Sequence, residues 1–224
     1  MQSHVRRISD WTQGPSTGTF SVEGFGDMSK SSGSGVTYKG NVGSPYGSNI
    51  IEVSADTARN YQNVVRFTGC NTDSWVVVIW NKYGPDDKMD GWYGHACHHF
   101  TLMPGEAKFF AFMNNSQGGF AAAEGSSIPT DSNDGYASTW GEWDFASLVN
   151  ANWSGFDVSA ISAQDAGLEI QGMKICEANS GTCSSITASG GQVDNAYTID
   201  NRDVGGVGGN LPAGQVRLAV AIDY

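Results

Sequence analysis

The run Trp75 to Trp80 reads WVVVIW, six apolar residues with a β-branched centre. It is too short for a helix of ordinary length. It also lacks the polar alternate positions of a strand that wets one face. It fits a strand buried on both faces. On an edge it would expose a large apolar patch, so it is expected as a central strand. Other short runs surround it: Asn49 to Val53, Val64 to Phe67, Lys108 to Phe112 and Gln215 to Asp223. In the last, Val216, Leu218, Val220 and Ile222 share one face. Turns separate them, at Tyr83-Gly84-Pro85-Asp86-Asp87 and Met103-Pro104-Gly105, where Gly, Pro and Asp each have a backbone reason to be present. Short strands at this spacing predict an all-β chain, a single-domain antiparallel β-sandwich with loop-rich additions.

Further strands are expected at Trp92 to Leu102, Phe120 to Ala123, Ser138 to Phe145, Phe156 to Ile161 and Leu168 to Ile175. One helical turn is expected at Ala55 to Tyr61. Residues 1–45 are rich in Gly, Ser and Thr and read as a largely irregular segment packed on the domain or trailing from it, with one strand at Val36 to Lys39. The sandwich proper is residues 46–224. The first residues, with Arg6 and Arg7, read as a mobile tail. Met1-Gln2-Ser3 reads as a start that replaces a removed leader.

The net charge is -11 over 224 residues, with 12 Lys and Arg. Phosphate backbones and anionic membranes would be repelled, so neither nucleic acid nor a membrane surface is an expected partner. No apolar run approaches the ~20 residues of a spanning helix. Four cysteines, in a chain with 30 Gly and 7 Trp, suggest a secreted protein with disulfides rather than a metal site. Three connectivities are possible. The favoured one joins Cys176 to Cys183 around a tight loop and Cys70 to Cys97. Two sequons, at Asn114 and Asn152, fit a secretory route.

The stretch Gly135 to Cys176 gathers Trp140, Glu142, Trp143, Asp144, Trp153 and Asp157. Carboxylates accept hydrogen bonds from hydroxyls, and indoles cover the apolar face of a pyranose. The bland reading makes the tryptophans core and the acids solvated strand ends. On a strand, Glu142 and Trp143 point to opposite faces, so Trp140 and Glu142 are the same-side pair. No Lys or Arg lies between Lys108 and Lys174, so the acids are expected in a shared, partly solvated negative pocket. His95, His98 and His99 flank Cys97. They are read as loop histidines before metal ligands, because an oxidised Cys97 could not ligate. No cofactor is expected.

The segments YKGNVGSPYGSNIIEVS, WNKYGPDDKMDGWYGH, NNSQGGFAAAEG, WGEWDF, WSGFDVSAI and EIQGMKIC resemble the fungal secreted allergen family typified by the Aspergillus allergen Asp f four. The resemblance implies an extracellular or cell-wall protein that binds IgE in sensitised hosts. A second resemblance concerns the fold. Phe67-Thr68-Gly69-Cys70, then Trp75 to Trp80, then Leu102-Met103-Pro104-Gly105 follow the order seen in thaumatin-like proteins. Glu142-Trp143, Phe156-Asp157-Val158-Ser159 and Asp165 are similar to the acids of their cleft, which is linked to β-1,3-glucan. The many thaumatin disulfides are absent, as is the Arg expected near Phe120 to Ala123. The leading expectation is a monomeric wall protein that binds β-glucan without efficient turnover. Glu142, Asp157 and Asp165 would be its polar contacts, and Trp140, Trp143 and Trp153 its platforms. A weak endo-β-1,3-glucanase using the same acids is the first alternative. A host-interaction protein with no glycan site is the second.

Overall fold

The computed structural model describes residues 10–224, so the tail assigned to Arg6 and Arg7 and the start at Met1-Gln2-Ser3 lie outside the described residues. The apolar runs become strands, whereas Trp92 to Cys97 and Leu168 to Gly172 of the expected segments do not, and thirteen strands form among the described residues. These are β1 (Ile50–Val53), β2 (Asn63–Gly69), β3 (Trp75–Asn81), β4 (His98–Leu102), β5 (Lys108–Phe112) and β6 (Ser116–Glu124). The rest are β7 (Trp140–Ser147), β8 (Trp153–Ser159), β9 (Met173–Glu177), β10 (Cys183–Ile186), β11 (Val193–Asp194), β12 (Gly209–Leu211) and β13 (Val216–Ile222). Two short helices accompany them, α1 (Ala55–Ala58) and α2 (Ile161–Asp165). No helix among the described residues is long and apolar enough to cross a membrane.

Two sheets form among the described residues. One runs β1-β5-β2-β13-β9-β10-β11, the other β12-β8-β7-β6-β3-β4. Their pairs are antiparallel, with one exception. β13 lies parallel to β2, Val216 opposite Asn63 through Ile222 opposite Gly69. The all-β sandwich is therefore as expected, and its larger sheet is mixed. β13 inserts Val216, Leu218, Val220 and Ile222 into the space between the sheets, beside Phe67, Phe120, Phe145 and Ile175. Phe67 meets the rings of Phe100, Phe110 and Phe120 edge-on at 4.9–5.8 Å, an arrangement that suits the aromatic quadrupole.

β3 is buried along its whole length, as its sequence demands. Trp75, Val77 and Ile79 face the inter-sheet core. Val76, Val78 and Trp80 face outward, where Ala121, Ala123 and Ile128 join them and Trp92, Tyr136 and Trp140 cover them. The strand is hydrogen-bonded on both sides, to β4 and to β6.

The strand expected at Val36 to Lys39 is a 3₁₀ turn at Gly35–Thr37. Val36 is 81 % exposed and Tyr38 alone turns inward, so no apolar face exists for a strand to bury. The surrounding segment is held by side-chain amides instead. Asn49 and Asn81 exchange hydrogen bonds at 2.7 and 3.0 Å, Asn49 also donates to the Asn41 carbonyl, and Tyr38 donates to Asn115. All four asparagines are buried, and buried amides persist only when partnered in this way. Further back, the buried Arg217 donates to the carbonyls of Gln62 and Gln13. Trp11 packs on Phe109 and beneath the Arg66 guanidinium.

Cys176 and Cys183 sit directly opposite each other on β9 and β10 and are bridged. The expected Cys70–Cys97 bridge is absent, and both thiols are free. The reason is position along the β3–β4 pair. Cys97 donates its N–H to Ile79 at one end, whereas the segment after Cys70 reaches Leu102 at the other, through Asn71. Five residues of strand separate the two ends, about 17 Å, far beyond the ~7 Å limit for bridging Cα atoms. Cys97 is half-buried against Gly47 and accepts from Asn81 at 3.3 Å, and burial pushes its thiol up. Thiol titration with a chromogenic disulfide is expected to find two thiols per chain, Cys70 reacting in the native state and Cys97 only slowly. A non-reducing peptide map containing a Cys70–Cys97 peptide would contradict this placement.

Candidate functional site

β7 alternates cleanly. Gly141, Trp143 and Phe145 face the core, and Trp140, Glu142 and Asp144 face outward. Its neighbours continue the outward set. Asp157 on β8 lies opposite Glu142, and Gln117 on β6 lies opposite Asp144. Lys82 follows the end of β3. These side chains form the floor and one wall of a cavity of about 650 Å³, a volume in the usual range for small-ligand sites. Trp80, Trp92 and Trp140 supply aromatic wall, and Val36, Met89, Val207 and Asn210 the rim. The Trp140 ring is fixed by its Nε1–H donating to the Tyr136 carbonyl at 2.8 Å and by edge contact with Trp80. The rim loop passes so close over β8 that a Cβ at Gly208, where φ is +95°, would fall 2.2 Å from the Phe156 carbonyl oxygen.

Glu142 and Asp157 are a directly opposed pair of carboxyls in side-chain hydrogen-bond contact. Two like charges this close cannot both ionise, so the pair shares a proton. Burial pushes Asp157 well up, and the Glu142 charge and hydrogen bond push it further. Burial also raises Glu142, against the lowering effects of the Asp157 hydrogen bond and the Lys82 charge. Both carboxyls are thus raised, and the retained proton belongs to the pair. Asp144 is raised by burial, partly offset by Gln117, Ser147 and Lys82. Its Oδ2 accepts from Gln117 Nε2 at 3.1 Å. Lys82 is lowered by burial and held up by Asp144 and Glu142, and its Nζ donates to the Val36 carbonyl at 2.6 Å.

A family model described as the Allergen Asp f 4-like domain matches residues 48–222. The chain belongs to the Allergen Asp f 4-like family. The match spans all thirteen strands and every cleft residue except Val36. Allergen Asp f 4 of Aspergillus fumigatus is 50 % identical over 216 residues, 96 % of this chain and 67 % of that protein. Among solved structures, the protein elicitor MoHrip2 from Magnaporthe oryzae aligns with a TM-score of 0.44 and 9 % identity, over 72 % of this chain and 99 % of that one.

The six residues expected to bind ligand divide within this allergen-like chain. Glu142, Asp157 and Trp140 come together in the cleft. Trp143 also borders the cavity, but its ring is turned inward. It is 3 % exposed, with its ring packed on Phe112 and Phe145, because an odd step along β7 turns it inward. Asp165 is on α2, paired with Arg202 at 2.7 Å, and lines a separate depression of about 480 Å³. Trp153 is 41 % exposed and shares the Asp157 face, but four residues away, about 13 Å along β8. The three histidines diverge. His98 packs on Phe110 with Nε2 at 2.8 Å from the Ile50 carbonyl, His99 is exposed, and His95 approaches Asp90 at 3.8 Å. Among the described residues no group of three potential metal ligands forms.

Sequence reasoning placed Asp144 in the acidic stretch but not among the ligand contacts, and it missed Gln117, Lys82 and Trp92 as cleft residues. The period of two from Trp140 through Glu142 reaches Asp144 and was a usable signal. Gln117 and Lys82 arrive from other strands, and no local spacing announces them. The raised carboxyls fix the sign of a pH effect. The folded chain binds more protons than the unfolded one once pH passes the ordinary carboxylate range near 3.8. Stability contributed by these groups is therefore lost as pH climbs from there through the raised values. Asp157→Asn removes one such group, so its melting temperature should gain on the wild type progressively as pH rises from about 4 towards neutrality. Parallel melting curves across that range would refute the shared proton.

Proposed function

We propose that the cleft binds a fungal cell-wall polysaccharide, of the β-glucan kind, without efficient turnover. The observation that carries this reading is the Glu142–Asp157 pair on the cleft floor beside the fixed face of Trp140. Carboxyls and a side-chain amide suit the hydroxyls of a sugar, and indole suits its C–H face. In this reading the chain works outside the cell as a monomer at the wall, where IgE of sensitised hosts meets it. Membership of an allergen family and the Cys176–Cys183 bridge support that setting.

The same pair argues against hydrolysis. Glycosidases hold their two carboxyls about 5–5.5 Å apart for retention or ~6.5–9.5 Å for inversion, on either side of the scissile bond. Directly opposed cross-strand neighbours stand side by side on the cleft floor, about 4.5–5.5 Å apart at Cβ, rather than facing each other across a bound sugar. Co-sedimentation with insoluble β-1,3-glucan tests the proposal. Wild type is expected in the pellet, Glu142→Gln and Trp140→Ala at least about fivefold depleted from it, a loss of roughly 1 kcal/mol. No reducing sugar should be released. Undiminished retention in both folded variants would remove the cleft from the account. Hydrolysis by wild type that disappears in Glu142→Gln would replace binding by catalysis.

A further inference from the structure

The cleft floor is rich in hydrogen-bond acceptors and poor in free donors. Gln117 Oε1, Asp144 Oδ1 and Asp157 Oδ1 are shut away from water and complete no hydrogen bond to a protein donor. The donors nearest them are already engaged. Gln117 Nε2 is spent on Asp144 Oδ2, and Lys82 Nζ on the Val36 carbonyl. Lys82 is the one cation among the described residues that line the cavity, against the three carboxyls of Glu142, Asp144 and Asp157. Elsewhere Asp87 has Lys39 and Asp165 has Arg202 as cationic partners. Among the described residues no Lys or Arg forms an ion pair with the acids of the cleft.

We propose that the polysaccharide preferred by this cleft carries protonated amines, that is, a hexosamine polymer lacking its N-acetyl groups. The inference rests on the polysaccharide-binding reading above and narrows its ligand. An ammonium offers three N–H donors and no acceptor, which complements a cleft lined by three carboxyl side chains and one cation. Its charge offsets carboxylates that the fold leaves uncompensated, and buried charge is tolerated only when paired. Trp92 and Trp140 on the wall attract a cation through their ring faces while covering the sugar's C–H face. The net charge of -11 concentrates a polycation near the surface before it docks. A neutral sugar keeps the stacking and hydroxyl hydrogen bonds but supplies no charge. An N-acetylated one exchanges the ammonium for a single amide N–H. A uronic acid polymer is repelled.

Isothermal titration at about pH 5.5, where a sugar amine is protonated, separates these cases. The probes are three hexamers: glucosamine, N-acetylglucosamine and β-1,3-linked glucose. The glucosamine hexamer is expected to bind at least about tenfold more tightly than either of the others, and Asp144→Asn to weaken it about tenfold. Asp144→Asn should weaken the glucosamine hexamer by a clearly larger factor than the glucose hexamer, and equal losses would contradict the charge pairing. Circular dichroism and melting establish that the variant is folded. If it is not, a steep loss of glucosamine-hexamer affinity in wild type with added salt reports the same charge dependence. Equal or tighter binding of the glucose hexamer overturns this inference and leaves the polysaccharide reading standing. Failure of all three hexamers to bind overturns both.

Discussion

The two-residue period of β7 is the constraint on which the cleft depends. Gly141, Trp143 and Phe145 are pinned inward because partners already occupy the core beside them. Phe120 lies so close to Gly141 that a Cβ there would come within 2.2 Å of its ring. Phe112 packs against both Trp143 and Phe145. With the inward set fixed, Trp140, Glu142 and Asp144 have nowhere to go but outward. A slip of one residue would drive two carboxyls into the core and expose two large aromatics. The acidic cleft is thus a consequence of packing between the sheets, and core and site are specified by one alternation.

That is also why part of the molecule was legible from its residues. β3, β5 and β13 are apolar runs with no other plausible fate, and the same-side pairing of Trp140 with Glu142 follows from the strand period alone. β10, β11 and β12 were not legible. They are short, contain Ser, Gly and Asn, and become strands because β9, β10 and β8 offer them an edge to pair with. Asp165 looked like a cleft acid because of its order along the chain, but α2 carries it away from the β7–β8 face. The cysteine pairing failed for a similar reason. Which ends of two strands meet is a property of the hairpin register, and the spacing of Cys70 and Cys97 does not contain it.

The amino-terminal segment shows how irregular chain can still build a site. Its Asn and Ser content reads as loop, and loop it remains, yet its amides are buried and paired with the ends of β3 and β6. Tyr83 donates to the Thr37 carbonyl at 2.8 Å and Lys82 to that of Val36. The 3₁₀ turn is thereby tied to the end of β3, and Val36 becomes part of the cleft rim. The tie also spends the charge-bearing donor that would otherwise reach the acids. Lys82 contributes its field to Glu142 and Asp144 without neutralising them by contact.

The account therefore turns on the protonation of one cross-strand pair. Glu142 and Asp157 share a proton because burial and mutual repulsion leave no better arrangement, and the proposed binding without hydrolysis rests on that pair. Carboxyl ¹³C chemical shifts followed through a pH titration measure it directly. The predicted result is a coupled titration in two steps, with Asp157 losing its proton well above the ordinary carboxylate range and returning towards that range in Glu142→Gln. Two independent, ordinary titrations near pH 4 for Glu142 and Asp157, unaffected by substitution of the partner, would contradict it.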